Sequence, residues 1–148
     1  MSFRLTYATM FNPPESMHSA FDAALFEVQS QLGIRHGFYI NGEDTHSNDY
    51  QTLHSPIDQE LVLGEFAIAN RHNVEHAFQS AQSAYPKWRA LTTAVRAQYL
   101  RKVADIMEAR VYHIAAALSL EVGKNRMEAL GEAQETVDFF RQYADDFE

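Results

Sequence analysis

From Asn70 to Glu148, apolar side chains return every three or four residues, and only Pro86 and Gly123 interrupt the rhythm. A strand would repeat every two residues, so this stretch is committed to helices. Asn70 can cap a helix carrying Val74, Ala77, Phe78, Ala81 and Tyr85, which Pro86 is expected to end. Thr92 or Thr93 can cap the next. Its stripe is Val95, Tyr99, Leu100, Val103, Ile106 and Met107, with a bend expected near Arg110 before Val111, Ile114, Ala117 and Leu118 lead to Gly123. A last helix starts near Arg126 and runs almost to Glu148.

The first part of the chain is organised differently. Pro13-Pro14 breaks the chain and Pro14 suits a first helical turn. Met17, Phe21, Ala24, Leu25, Val28 and Leu32 then mark a helix over about residues 15 to 32, with Gly33 as its stop. Phe38-Tyr39-Ile40 followed by Asn41-Gly42 is a strand entering a tight hairpin turn, because both turn residues tolerate positive φ. Glu43 to Asp49 reads as a loop. Tyr50–His54 and Leu61–Phe66 read as two more strands, separated by Ser55-Pro56-Ile57-Asp58. Strands so few and short need a helix layer or another sheet against them. The expected fold is α-rich α+β, helices packed with a small antiparallel β element. Its parts are an extension and helix over 1–33, strands over 37–66 and helices over 70–148, read as one unit, 1–148.

Composition removes several functions. With 20 acidic against 12 basic residues the net charge is −8, which repels phosphate backbones and makes nucleic acid a poor partner. No apolar run is long enough for a membrane span. Met1 to Met10 carries one charge, Arg4, and no long apolar block follows, so no signal peptide is expected and the cytoplasm is the default location. There is no Cys, which removes disulfides, thiolate metal sites and a cysteine nucleophile. None of the six glycines makes a Gly-x-Gly-x-x-Gly loop.

Several patterns invite chemistry. His72-Asn73-Val74-Glu75-His76 fits the His-x-x-Glu-His spacing of some zinc proteases, with both His on one helical face. No third ligand is identifiable, so a solvated helix start without metal is expected. Glu121, Glu128, Glu132 and Glu135 form an acidic stripe, read as a solvated face rather than paired catalytic carboxylates. Lys87, Arg89, Arg96, Arg101 and Lys102 are a local basic cluster in which Arg101 can pair with Asp105 at i, i+4. The last helix is greasy on two sides. Met127, Leu130, Val137 and Phe140 make one face, while Glu135, Phe139 and Tyr143 lie on another. The second side calls for a downstream domain, a second copy or another subunit. The helix reaches Phe147-Glu148 without a Gly or Pro stop, so nothing marks a natural C-terminus there, and a truncated piece, a proteolytic product or a shortened gene product all fit.

An ordered set of motifs carries a family resemblance. Tyr39-Ile40-Asn41-Gly42-Glu43, then His54-Ser55-Pro56-Ile57-Asp58, then Val74 through Trp88 with its aromatic-x-x-Trp ending, then Arg96 through Arg110, then Leu118-Ser119-Leu120-Glu121-Val122-Gly123-Lys124-Asn125 with Glu128-Ala129 and Glu132 resemble the first segment of the aldehyde dehydrogenase superfamily. Ser55 stands where many members have Asn. The Glu-Val-Gly-Lys-Asn block, and Phe11-Asn12-x-Pro ahead of the hairpin, resemble its 1-pyrroline-5-carboxylate dehydrogenase class, and the likeness covers nearly the whole chain.

The resemblance implies the N-terminal part of an aldehyde dehydrogenase fold without its complete nucleotide-binding and catalytic domains. Such enzymes oxidise glutamate semialdehyde with NAD, through a cysteine thiolate, a glutamate base and an asparagine-lined oxyanion site. All of these lie downstream of the matched region. The chain alone is therefore expected to be inactive and to hold no cofactor, with NAD belonging to the intact enzyme. By the same resemblance, Glu135 is the candidate substrate-binding residue, a carboxylate approaching the substrate ammonium. Two functions follow: a portion of, or truncated relative of, such a dehydrogenase, or a non-enzymatic module that associates with a full-length one. A homo-oligomer or a missing downstream domain is the expected partner.

Overall fold

The computed structural model describes residues 12–148, so the readings placed on Met1–Met10 and on Phe11 lie outside the described residues. Helix α1 (Glu15–Gln29) follows an extended Pro14, whose carbonyl accepts from Met17 N at 2.9 Å. It ends before Gly33, whose φ of 79° serves the next turn instead. Then come β1 (Arg35–His36), β2 (Phe38–Ile40), β3 (Glu43–Thr45), β4 (Tyr50–His54) and β5 (Val62–Ala67). Helices α2 (Arg71–Arg89), α3 (Thr93–Ala109), α4 (Val111–Val122) and α5 (Arg126–Phe147) complete the order.

The chain forms two compact units. One takes the described part of Met1–Gln31 together with Thr93–Glu148, and the other is Leu32–Thr92.

In the second unit, β2 and β3 form an antiparallel hairpin through Asn41 at φ 57° and Gly42 at φ 83°. The stretch expected to loop from Glu43 is thus paired over Glu43–Thr45. The turn decides this, because a tight positive-φ turn returns the chain alongside β2 whatever the weak strand preference of Glu and Asp. A second sheet has the order β1-β5-β4, with β4 antiparallel and β1 parallel to β5. The small β element is therefore largely antiparallel, with one short parallel pair. Asn70 caps α2, accepting from Asn73 N at 3.0 Å while Asn73 Oδ1 accepts from Asn70 N at 2.9 Å. Pro86 does not end this helix but sits inside its last turn. There its fixed φ is compatible with the helix and its missing N–H costs a single hydrogen bond. Ser80 Oγ donates to Asn41 Oδ1 at 3.3 Å and ties α2 to the hairpin turn.

The first unit is a helical layer. Its core joins Met17 and Phe21 of α1 to Ala115 and Ala116 of α4 and to Ala129, Leu130 and Ala133 of α5. Arg110, at φ −116° and ψ 15°, separates α3 from α4 where the bend was expected. Gly123 at φ 74° closes α4 in the left-handed conformation. Helix α3 reverses one expectation: its buried positions are Ala97 and Ala104, whereas Tyr99 is 53% and Ile106 51% exposed. Small side chains let two helix backbones approach closely, so the alanine face takes the neighbour. The same face carries Arg101, Asp105 and Glu108, all engaged by α5.

Candidate functional site

The candidate site is the outward face of α5. Asn125 fixes where that helix starts, its Oδ1 accepting from Met127 N and Glu128 N at 3.1 Å each. From that start, Ala129, Leu130, Ala133, Val137 and Ala144 fall on the buried side. Glu135, Phe139 and Tyr143 recur at four-residue intervals and fall opposite. The two rings stack at 5.8 Å with 12° between planes, and remain 50% and 60% exposed. Glu135 is exposed, and among the described residues no ion pair or hydrogen bond engages it. A free carboxylate one turn from an aromatic ledge can hold a ligand carrying an ammonium group and a short hydrocarbon chain.

Of the other acidic residues of the stripe, Glu132 is taken by Lys124. Nor does the expected pair of Arg101 with Asp105 form. Arg101 Nη2 donates to Asp145 and Glu148 of α5 at 2.7 Å each, and Asp105 accepts from Arg141 at 3.0 Å. The hydrogen bond from Arg101 holds the Glu148 carboxyl below the usual carboxylate range, and Glu148 and Asp145 raise the Arg101 guanidinium in turn. The rest of the basic cluster is divided. Lys87 and Arg89 sit in the last turn of α2, and the Arg96 guanidinium lies 5.0 Å over the Phe147 ring. Sequence patterning also missed Arg126, which lies over the Phe21 ring at 4.6 Å and donates to His18 Nδ1 at 2.9 Å and to Asp22, anchoring α1 on α5. Contacts between positions a hundred residues apart leave no periodic trace.

His72 and His76 are exposed, with ring centroids 6.5 Å apart. The Glu75 between them accepts from Arg71 at 2.8 Å, so it is not available as a general base. Among the described residues no group of three or more His, Asp or Glu is placed to hold a metal. The described glycines serve turns and close packing: Gly33, Gly42 and Gly123 take positive φ, and Gly37 meets the Thr45 carbonyl. They build no cradle for a dinucleotide pyrophosphate. No helix among the described residues is long and apolar enough to cross a membrane.

The sequence profile of the aldehyde dehydrogenase family matches residues 43–148. The 1-pyrroline-5-carboxylate dehydrogenase 2 of Halalkalibacterium halodurans is 35% identical over 130 residues, 88% of this chain and 25% of that protein. An alpha-ketoglutaric semialdehyde dehydrogenase of Bacillus subtilis is 40% identical over 108 residues, 72% of this chain and 22% of that protein. A 1-pyrroline-5-carboxylate dehydrogenase from Thermus solved with bound NAD superposes with a TM-score of 0.87 at 30% identity, covering 97% of this chain and 28% of its own. The chain thus spans about a quarter of the length of the curated relatives it matches.

Proposed function

Given that the chain belongs to the aldehyde dehydrogenase family, we propose that it is the N-terminal portion, or a short relative, of an NAD-dependent 1-pyrroline-5-carboxylate dehydrogenase. That enzyme would oxidise glutamate semialdehyde to glutamate in the cytoplasm. The observation that carries this reading is the reach of the likeness. The family profile begins at residue 43, yet the Thermus dehydrogenase covers 97% of the chain, too much to leave out α1.

Within this reading the residues have limited but definite work. A chain without cysteine has no thiolate to attack an aldehyde, so the isolated chain should not reduce NAD with glutamate semialdehyde. When bound, NAD would accept the hydride, at a site built by residues beyond this chain. Glu135 would orient the substrate through its ammonium, with the Phe139–Tyr143 ledge beneath the carbon chain. A carboxylate recognises an α-ammonium and has no corresponding attraction for an α-keto group. Glu135 would therefore separate glutamate semialdehyde from alpha-ketoglutaric semialdehyde, the substrate named for the Bacillus relative.

A chimera tests this. The chain replaces the matching quarter of the Halalkalibacterium enzyme, and NADH production is followed with each aldehyde. Activity on glutamate semialdehyde is expected, with Glu135→Gln raising KM for that substrate about tenfold, the worth of one charge-assisted hydrogen bond. A folded chimera active only on the keto aldehyde would reject the reading. The exposed stack of Phe139 on Tyr143 favours a second reading, a non-enzymatic module that associates with a full-length dehydrogenase. Co-purification of the untagged Halalkalibacterium enzyme with the tagged chain tests that.

A further inference from the structure

We propose that His72 and His76 form a two-imidazole clamp for an exchangeable divalent transition-metal ion, copper(II) above all, on the polar face of α2. The two residues are one turn apart, both are exposed, and their rings are nearly parallel, 18° between planes, at 6.5 Å. That is the spacing at which two side chains on one helix converge on a common point above the surface. Small rotamer changes bring one nitrogen of each ring to an ion between them.

The surroundings define what kind of site this is. Glu75 is drawn aside by Arg71 at 2.8 Å, and no further His, Asp or Glu among the described residues completes a set of three. Two protein ligands leave coordination positions for water, so the ion exchanges rather than being locked in. The positive end of the α2 dipole opposes a cation at this position and weakens binding further. Imidazole ligands suit copper, nickel and zinc rather than magnesium or calcium, and among these copper(II) binds most tightly. The clamp also lies opposite the helix side that carries Val74, Phe78 and Tyr85, so a partner covering that apolar side would leave it open.

The experiment is titration of the whole chain with copper(II), followed by calorimetry and by paramagnetic broadening of backbone NMR signals. One ion per chain is expected, with broadening beginning around residues 71–77. The decisive variant keeps all seven imidazoles but spoils the spacing, by combining His76→Ala with Ala77→His. It should bind at least about tenfold more weakly, because the second imidazole no longer binds intramolecularly. Zinc and nickel should bind more weakly than copper, and binding should fall on acidification, because a protonated imidazole has no lone pair to donate. His72→Gln, an exposed substitution in the first turn, gives an independent loss should the double variant disturb the helix. Unchanged affinity in both variants, or broadening that begins at other histidines, overturns the proposal.

Discussion

Arg141 of α5 holds Glu108 of α3 with both ends of its guanidinium, Nη1 to Oε1 at 3.0 Å and Nη2 to Oε2 at 2.8 Å. The same Nη2 reaches Asp105 at 3.0 Å. Both ends of the α3–α5 contact are therefore pinned, Arg141 on one side and Arg101 with Asp145 and Glu148 on the other. These groups are partly exposed, so solvent screens them. Arg141→Ala should cost about 1 kcal/mol of unfolding free energy, the upper end for such pairs, because two carboxylates lose one partner. Chemical denaturation at low and high salt checks this, and the difference between parent and variant should shrink as salt rises.

The pH response at the end of α5 has a fixed sign. The folded state lowers the Glu148 carboxyl through its hydrogen bond from Arg101. A depressed acid contributes stability above its unfolded value and loses it as pH falls through the folded one. The last turn of α5 should therefore loosen on acidification below the ordinary carboxylate range. Amide hydrogen-exchange protection at Ala144 to Phe147, taken relative to the unstructured rate at each pH, should show it across that range, and Arg101→Met should abolish the pH dependence of that protection. Equal pH dependence in parent and variant would mean that another carboxylate governs the end of the helix.

Two glycines of the hairpin should differ in the cost of a methyl group. A Cβ at Gly37 would sit 2.5 Å from the Thr45 carbonyl oxygen, so backbone must move. At Gly42 nothing lies within 4 Å, but φ is +83°. Gly37→Ala should cost about 1–3 kcal/mol, as overpacking does. Gly42→Ala should cost roughly 1 kcal/mol, the penalty of a left-handed conformation. Urea midpoints at unchanged m-value give the order, and a more damaging Gly42→Ala would contradict the packing at Gly37.

Local signals were readable in the chain, and contacts at a distance were not. Asn41-Gly42, Asn70, Gly123 and the period of α5 each announce their element through the chemistry of one or two residues. The strand Arg35–His36 is too short to carry a pattern, and it exists because its parallel partner Glu65–Phe66 lies alongside. Pro86 reads as a stop but lies inside α2, because a proline in the last turn of a helix removes one bond without breaking the rest. The i, i+4 rule offers Arg101 only Asp105 of its own helix, whereas Asp145 and Glu148 at the end of α5 take it instead. For α3, periodicity located the helix but not its buried side, since alanine contributes little to a hydrophobic pattern and much to close packing. The outward face of α5 was legible because its two stripes lie opposite one another, and the exposure of Phe139 and Tyr143 agrees with that reading.

That exposure leads to the prediction of self-association. Phe139 and Tyr143 stack on each other at 5.8 Å while leaving half or more of each residue in solvent, with Phe147 one turn further on and 45% exposed. Burying an aromatic side chain contributes a few kcal/mol at roughly 25 cal/mol per Å². Bringing two chains together costs several kcal/mol of translational and rotational freedom, so two aromatics support only a weak dimer. The net charge of −8 opposes contact between copies, and added salt relieves that repulsion. Light scattering should therefore show a mass that rises with protein concentration, and more steeply at high salt. Phe139→Ser combined with Tyr143→Ser should return the chain to a monomer without changing its helix content, because neither residue belongs to the buried side of α5. A parent that stays monomeric at high concentration and high salt refutes self-association. An oligomer indifferent to both substitutions places the contact elsewhere, with the exposed apolar side of α3 at Tyr99 and Ile106 as the next surface to substitute.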